Sequence, residues 1–375
     1  MRAALPTSCG RIAASSRTGE HARIIISCLV MSCAGLAAGL DADAASAFFN
    51  VSDVTAGHKP GSNSWMYSCM RMCTGPCLTY NPEPGFVLKL SGWTLEEDCS
   101  YRCFRTCQAE ELRKGGQWWK YGGKWGHTRF LGMQEPAAVA FSVLNGAVHV
   151  AGAVMLSRAR KTALDQLKER KMDASPLHQV YPHLWRQNVM AWVWSLAWLA
   201  SAIFHCRDKW FTERLDYYSG NIAVAWMLFT GLTRCGWDTV RMREGWMQAA
   251  VGGVTAVGIG LHIADSVSKK IDYTRNMYVM IGMMVAHSLG WVAFCLANRR
   301  PHNWLFYTSN LLVYAAGALE IKDFPPVLGS MDAHAVWHAA TPPLSYLFYR
   351  FLIADLRWEL GLRLDPPLSA DKKTE

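Results

Sequence analysis

Seven apolar runs dominate this chain. They lie near Glu135–Leu156, Leu184–His205, Tyr217–Cys235, Trp246–Val267, Met277–Ala297, Leu305–Ile321 and Ala335–Leu356. Each is close to the roughly 20 residues a helix needs to cross the hydrocarbon core of a bilayer. In lipid only helices and closed barrels satisfy their own backbone hydrogen bonds, and these runs are too long for barrel strands. The expected fold is an all-α membrane protein, a seven-transmembrane helix bundle. The third and sixth runs are short, so their limits are open by a few residues. The formal net charge of +9 does not mark a nucleic-acid binder. No basic, aromatic-interleaved face stands apart from the apolar runs.

The first 47 residues read as a secretory signal. Arg11, Arg17 and Arg23 precede the apolar run Ile24–Leu40, and Ala45-Ser46-Ala47 offers a small-residue cleavage site. An uncleaved anchor helix is the alternative. Either way the next segment, residues 48–129, is expected in the lumen. The sequon Asn50-Val51-Ser52 agrees with that.

This head holds six of the 12 cysteines, in two trios: Cys69, Cys73, Cys77 and Cys99, Cys103, Cys107. Spacing by four puts each trio along one stripe of a helix. An even count in an exported segment this small reads as a disulfide framework, with fifteen connectivities open. A zinc module is the rival, but such modules favour closer cysteine pairs and a reducing compartment. Trp118, Trp119, Tyr121 and Trp125 then lead into the first run, as an aromatic belt at the membrane interface would. Cys206, Cys235 and Cys295 lie in or near spans and read as inert.

Positive charge orients the bundle. Arg158, Arg160, Lys161, Lys168, Arg170 and Lys171 follow the first run; Arg241 and Arg243 the third; Arg299 and Arg300 the fifth; Arg357, Arg363, Lys372 and Lys373 the last. The alternate connections hold fewer. The excess of Lys and Arg belongs on the cytosolic side. The head is therefore lumenal, residues 130–358 span the membrane, and residues 359–375 form a cytosolic tail. Seven spans demand the same inversion. The final Lys372-Lys373-Thr374-Glu375 has the form of a dilysine retrieval signal.

Against this apolar background the polar residues stand out. Ser201 and His205 are four apart in SAIFH, and His334 and His338 are four apart in HAVWH, so each pair shares a helix face. Asp216 lies just beyond the first pair. Ionisable groups inside spans are costly and mark function by default. Counting spans brings all three helix ends to one depth, in the lumenal leaflet. Three neutral imidazoles with an open position make a catalytic zinc site. His205, His334 and His338 are the expected metal ligands. Ser201 and Asp216 are the catalytic candidates, Ser201 as a donor to the attacking water or the developing oxyanion, Asp216 as general base or as an orienting partner of a ligand. His262, with Asp265, and Asp332 lie close enough in sequence to join. His149 and His287 read as satisfied polar contacts. Asp208, Glu213, Glu320 and Asp323 read as structural loop residues, and Pro325-Pro326 as a rigid turn.

Longer stretches carry a resemblance. GKWGHTRFLGMQEPAAVAFSVLN (Gly123–Asn145), SAIFHCRDKWFTERLDYYSG (Ser201–Gly220), IDYTRNM (Ile271–Met277) and LEIKDFPPVLGSMDAHAVWH (Leu319–His338) resemble the post-GPI-attachment to proteins factor 3 family, as do the paired cysteine trios around Ser91-Gly92-Trp93. The resemblance covers about Ser52 to Leu356. It implies a multipass protein of the endoplasmic reticulum or Golgi that remodels glycosylphosphatidylinositol (GPI) anchors. The implied activity is of phospholipase A2 type, removing the sn-2 acyl chain from anchors already linked to protein, so GPI-anchored proteins would be its partners. It also places the chain in a wider group of seven-span hydrolases that includes alkaline ceramidases, from which the Zn²⁺ role is carried over onto His205, His334 and His338. The sequence departs from the family's pattern at Cys206, where Thr is common, and in a long connection over Ser157–His183. A ceramidase-like amidase and a non-catalytic receptor or chaperone for GPI-anchored proteins are the alternatives. A fourth protein ligand in the open position would favour the last.

Overall fold

The computed structural model describes residues 63–80, 83–120, 123–169, 181, 183–239, 245–267 and 269–361. The signal sequence, the sequon, Tyr121, Arg170, Lys171, Arg241, Arg243 and the tail with its dilysine lie outside them. Among the described residues the chain is all helix, with two isolated bridges in turns.

The head holds α1 (Asn63–Tyr80), the single-turn-and-a-half α2 (Phe86–Leu90) and α3 (Leu95–Arg113). A capping box starts α3: Thr94 accepts from the Glu97 N–H, and the Glu97 carboxylate accepts from the Thr94 N–H. The cysteine stripes face each other in antiparallel order, so Cys69 pairs with Cys107, Cys73 with Cys103 and Cys77 with Cys99. Three nested bridges thus take one of the fifteen connectivities, and they leave the zinc-module alternative no free thiolate. A head this small needs such staples, because its core alone cannot offset chain entropy.

Seven long helices follow: α4 (Pro136–Glu169), α5 (Leu184–Cys206), α6 (Trp210–Thr239), α7 (Gly245–Val267), α8 (Tyr273–Ala297), α9 (Asn303–Lys322) and α10 (Ala333–Glu359). By length and composition α4, α5, α7 and α8 can cross a membrane. The other three are also at least 20 residues long but more polar. The apolar face of α7 has almost no protein over it, and Val254 and Trp246 are 75% and 70% exposed. Such a face is one that lipid or another protein surface covers.

Two helix limits differ from the sequence reading. The connection read as a loop from Ser157 is helical as far as Glu169, because buried Ala159, Ala163 and Leu167 continue the core stripe of α4 every fourth residue. α6 begins seven residues before its apolar run, its first two turns being polar.

The α4–α10 seam holds the lower edge of the site. Pro342 in α10 cannot donate to the His338 carbonyl one turn back. The Asn145 amide (2.8 Å) and the Thr341 hydroxyl (3.0 Å) donate to that carbonyl instead, and Thr341 also donates to Asn145 Oδ1 at 2.9 Å. At the far end of α10 lies a buried ionic cluster. Arg234 reaches Asp355 (2.8 Å) and Glu359 (2.9 Å), Arg300 pairs with the same two carboxylates, and the Tyr181 hydroxyl donates to Asp355 at 2.9 Å.

The strap from Gln117 to Glu135 joins head and bundle. The Trp93 ring lies between the Arg129 and Arg207 guanidiniums, 4.4 and 3.8 Å from its centroid, and its indole N–H donates to the Gly132 carbonyl at 2.8 Å. Gly132 has φ +77°, and an added Cβ would meet Ser91 Oγ at 2.3 Å, so only glycine fits this turn. Trp125 donates to Asp323 at 3.0 Å, and the Thr128 N–H donates to the Gly329 carbonyl at 2.7 Å. At least Trp125 of the expected interfacial belt therefore ties the strap to the α9–α10 turn.

Glu97 joins α3 to Arg207 (2.8 Å) and Lys209 of the α5–α6 turn. Partial burial works to raise its pKa, but Lys209, the Thr94 N–H and Arg207 outweigh that and hold it down to about 2. A folded pKa below the unfolded one stabilises the docked head above the usual carboxylate range, and that stabilisation is lost as pH falls toward 2. Limited proteolysis of the strap should be unchanged from pH 7 to about pH 5 and accelerate below it. Glu97→Gln should show the acid rate already at pH 7.

Candidate metal centre

His205 sits in the last turn of α5, and His334 and His338 in the first two turns of α10. Their Nε2 atoms face one another. The His338–His334 separation is 2.9 Å and the His334–His205 separation is 3.2 Å. Among the described residues these three form the one cluster of metal-binding side chains within ligand range.

The outer nitrogen of each ring shows which way the protons point. His205 Nδ1 lies 2.6 Å from Glu135 Oε2, and His334 Nδ1 lies 2.9 Å from Glu320 Oε1. His338 Nδ1 lies 2.9 Å from Ser142 Oγ, with the Ala138 carbonyl also within reach of its ring. Carboxylates only accept, so Nδ1 of His205 and of His334 carries the proton, and the Ser142 hydroxyl can accept from His338 Nδ1 in the same way. All three Nε2 lone pairs then converge on one point. Three lone pairs facing each other repel unless a proton or a metal ion lies between them. Imidazoles bound to one ion at about 2.0–2.1 Å in a tetrahedral arrangement would stand about 3.3–3.4 Å apart, so a slight opening of the cluster would admit the ion. The donor set fits a borderline ion such as zinc, and the acidic partners would orient the rings and raise their basicity.

Ser201 stands one turn before His205, is buried, and lies 3.2 Å from Ser142 Oγ. Asp216, in the second turn of α6, is within hydrogen-bonding reach of Ser201 and close to the rings of His205 and His334. The structure thus brings together all five residues singled out in the sequence. It does not bring in His262, whose Nε2 pairs with Asn276 Oδ1 at 3.1 Å, or Asp265, which pairs with Lys269 and Arg275. Asp332 caps α10 by accepting from the Ala335 N–H at 2.8 Å and faces His127 at 3.3 Å. His149 is satisfied by Tyr349 (2.6 Å), and His287 accepts from the Trp291 indole (3.1 Å).

One sequence reading needs correcting, and two residues escaped it. Glu320 is no mere loop residue: it lies in the last turn of α9 and reaches His334. Glu135 went unmarked, as the edge of an apolar run. Its N–H donates to the His205 carbonyl at 3.0 Å while its carboxylate holds the ring of the same residue. Ser142 also went unmarked. Its signal was legible, since Ser142, Asn145 and His149 recur at three and four residues through an apolar run, a polar stripe on one helix face.

Comparison with known proteins places this geometry. A family model described as Per1-like matches residues 85–356. The chain belongs to the Per1-like family. Its relatives include a protein named GPI-specific phospholipase A2-like PGAP3 from Danio rerio, 32% identical over 292 residues, which cover 76% of this chain and 85% of that protein. The Homo sapiens protein of the same name is 30% identical over 286 residues, covering 76% and 83%. A Drosophila melanogaster protein named post-GPI attachment to proteins factor 3 is 31% identical over 266 residues, covering 70% and 74%. No solved structure matches. The Per1-like match takes in the strap, α4 to α9, α10 up to Leu356 and the five residues at the histidine cluster.

If the rings are held as drawn, Glu135→Gln and Glu320→Gln should each weaken zinc binding by about 10- to 100-fold. Titration of the purified chain against a competing chelator measures this. Unchanged affinity in both variants would break the link between the carboxylates and the cluster.

Proposed function

We propose that this chain is a seven-span, metal-dependent lipid hydrolase. It would remove the sn-2 acyl chain from the phosphatidylinositol of GPI-anchored proteins, in the endoplasmic reticulum or Golgi. On this reading residues 1–47 are a signal peptide, the head is lumenal and the tail cytosolic. The observation that carries the proposal is the convergence of three imidazoles beside Ser201 and Asp216. The relatives' names supply the substrate.

His205, His334 and His338 would hold the ion. When bound, it supplies a Lewis acid for the ester carbonyl and lowers the pKa of water. With the proton of His338 Nδ1 given to Ser142, the Ser142 proton would be free for Ser201 Oγ, its other partner. The Ser201 proton is then directed away from Ser142. In the free site it faces Asp216; with an ester bound it becomes the donor for the developing oxyanion. Asp216 is left to take a proton from the attacking water. The water oxygen adds to the carbonyl carbon, the bond to the glycerol oxygen breaks, and the proton on Asp216 passes to that oxygen. The products are a fatty acid and a lyso-anchor. His262 and Asp332, the candidates for a fourth ligand, are engaged elsewhere. Among the described residues neither of them takes the fourth position, and a position left to water or substrate supports an enzyme over a receptor.

His334→Ala is the direct test. In cells lacking the endogenous enzyme it should abolish lyso-anchor formation, read by mass spectrometry of anchors, at normal expression. Normal remodelling would refute the proposal. Ser142→Ala and Ser201→Ala should each lower kcat by about 10- to 1,000-fold, in the range for losing one oxyanion donor or its orienting partner. In the Ser201→Ala background, adding Ser142→Ala should cost almost nothing more. Full additivity would show that the two hydroxyls act independently.

A further inference from the structure

The histidine cluster has a cation beside it for which the hydrolytic steps give no task. Lys124 comes from the strap. Its Nζ lies 2.5 Å from Asp208 Oδ2, 4.0 Å from Glu135 Oε1 and 4.2 Å from the centroid of the Phe204 ring. Glu135 holds the His205 ring. Lys124 therefore stands one carboxylate and one imidazole away from the point where the Nε2 atoms meet. It is close enough to act on the Asp216 carboxylate as well.

Neighbouring basic side chains turn another way. Arg207 and Lys209 pair with Glu97 of the head, Arg129 pairs with Asp98, and Arg214 donates to the Lys269 carbonyl at 2.7 Å. Lys124 instead lies between Asp208 and Glu135, with its side chain 30% exposed. An ammonium carries three N–H donors on a flexible stem, so it can keep Asp208 and still meet a second anion. The face of the Phe204 ring steadies it there by cation–π attraction.

The order of these groups matches a glycerophospholipid. In such a lipid the sn-2 carbonyl carbon reaches the phosphorus through the ester oxygen, C2, C3 and the phosphate oxygen, so the two lie within roughly 7 Å of each other. The phosphate faces the water and the ester lies deeper. With the head in the lumen, as the proposed function has it, the strap and its ammonium are on the headgroup side. The imidazoles lie beneath them, in the ends of α5 and α10. A ceramide carries no anion and would leave Lys124 nothing to hold.

We propose that Lys124 binds the phosphodiester of the anchor lipid and makes the site select a phosphate-bearing glycerolipid over a neutral one. The inference rests on the proposed function, which places the ester at the histidines. The shared chemistry is a phosphate ester, so a soluble phosphate is the competing source.

The test uses the full chain in a phosphate-free maltoside detergent and two lipids that cannot be hydrolysed, the dialkyl ether analogue of phosphatidylinositol and the matching dialkylglycerol. Each is titrated with Tm as the readout, since a ligand of the folded state raises it. The wild type should bind the phosphoinositide analogue more tightly than the dialkylglycerol. Lys124→Gln should cut that preference by about 10- to 100-fold, the range for a hydrogen bond to a charged group, and Lys124→Arg should keep it. An unchanged preference in Lys124→Gln overturns the proposal. So does an equal loss of affinity for both lipids, which would make Lys124 a support of the strap only. Should Lys124→Gln fail to fold, footprinting of the wild type decides. The phosphoinositide analogue should protect Lys124 from acetylation and the dialkylglycerol should not; equal labelling overturns the site. Equal protection by soluble inositol phosphate would overturn it too, assigning the lysine to a soluble anion. No arm depends on turnover. A chain that binds through Lys124 but frees no fatty acid from an ester lipid would end the hydrolase reading and leave this one standing.

Discussion

Within a bilayer a polar group has no water to fall back on, and each must find its partner inside the protein. That constraint organises this bundle. The His338 carbonyl released by Pro342 is taken up by Asn145 and Thr341. The Arg234 guanidinium, fully buried, meets Asp355 and Glu359. His149 stacks on Trp194 and bonds to Tyr349. All of these contacts but that of Thr341 cross between helices, so the need for partners also fixes which helices touch. Without a hydrophobic drive between helices in lipid, packing and such hydrogen bonds must hold them together.

The same constraint shapes the histidine cluster from outside. Glu135, Glu320 and Ser142 occupy the three Nδ1 positions, and they come from the strap, α9 and α4 respectively. The cluster is thus held by groups from elements that do not themselves supply imidazoles. Each outer contact leaves one lone pair directed inward, where no protein group answers it. The three Nε2 atoms are left facing one another. That is the pattern of a site prepared for a cation rather than of a packing contact.

Much of this was legible in the sequence, for definite reasons. The apolar runs located the long helices because length and hydropathy are strong signals. The four-residue spacings of Ser201/His205 and His334/His338 put both pairs on helix faces, and span counting put the faces at one end. The six cysteines announced disulfides, although the nested pairing depended on two helices lying antiparallel, which spacing alone does not decide. What stayed hidden was polar residues at the margins. The first two turns of α6 carry Glu213, Arg214 and Asp216, so a hydropathy reading starts the helix late. The end of α4 is amphipathic rather than apolar and looked like a loop. Glu135 and Glu320 sit where a run begins or ends, the place where charge is expected for topological reasons and so draws no notice.

The strap explains why the head and the site belong to one structure. The described residues of 117–135 are short of secondary structure, yet every few positions one of them is tied down: Trp125 to Asp323, Thr128 to Gly329, Arg129 to Asp98, and Gly132 to Trp93. Gln134 and Glu135 then dock on the last carbonyls of α5, those of Cys206 and His205, meeting acceptors that a helix end leaves open. Glu135 can hold the His205 ring only if this path is rigid. Its rigidity comes from the disulfide-stapled α3, which supplies Asp98 and Tyr101, and from Trp93 between two guanidiniums. Tyr101 accepts from the His127 N–H at 3.0 Å and donates to the His127 carbonyl at 2.8 Å. Covalent bridges in the head thus reach an imidazole in the bundle through a chain of side-chain contacts. The order imposed by the staples is carried to the one place where ring orientation decides chemistry.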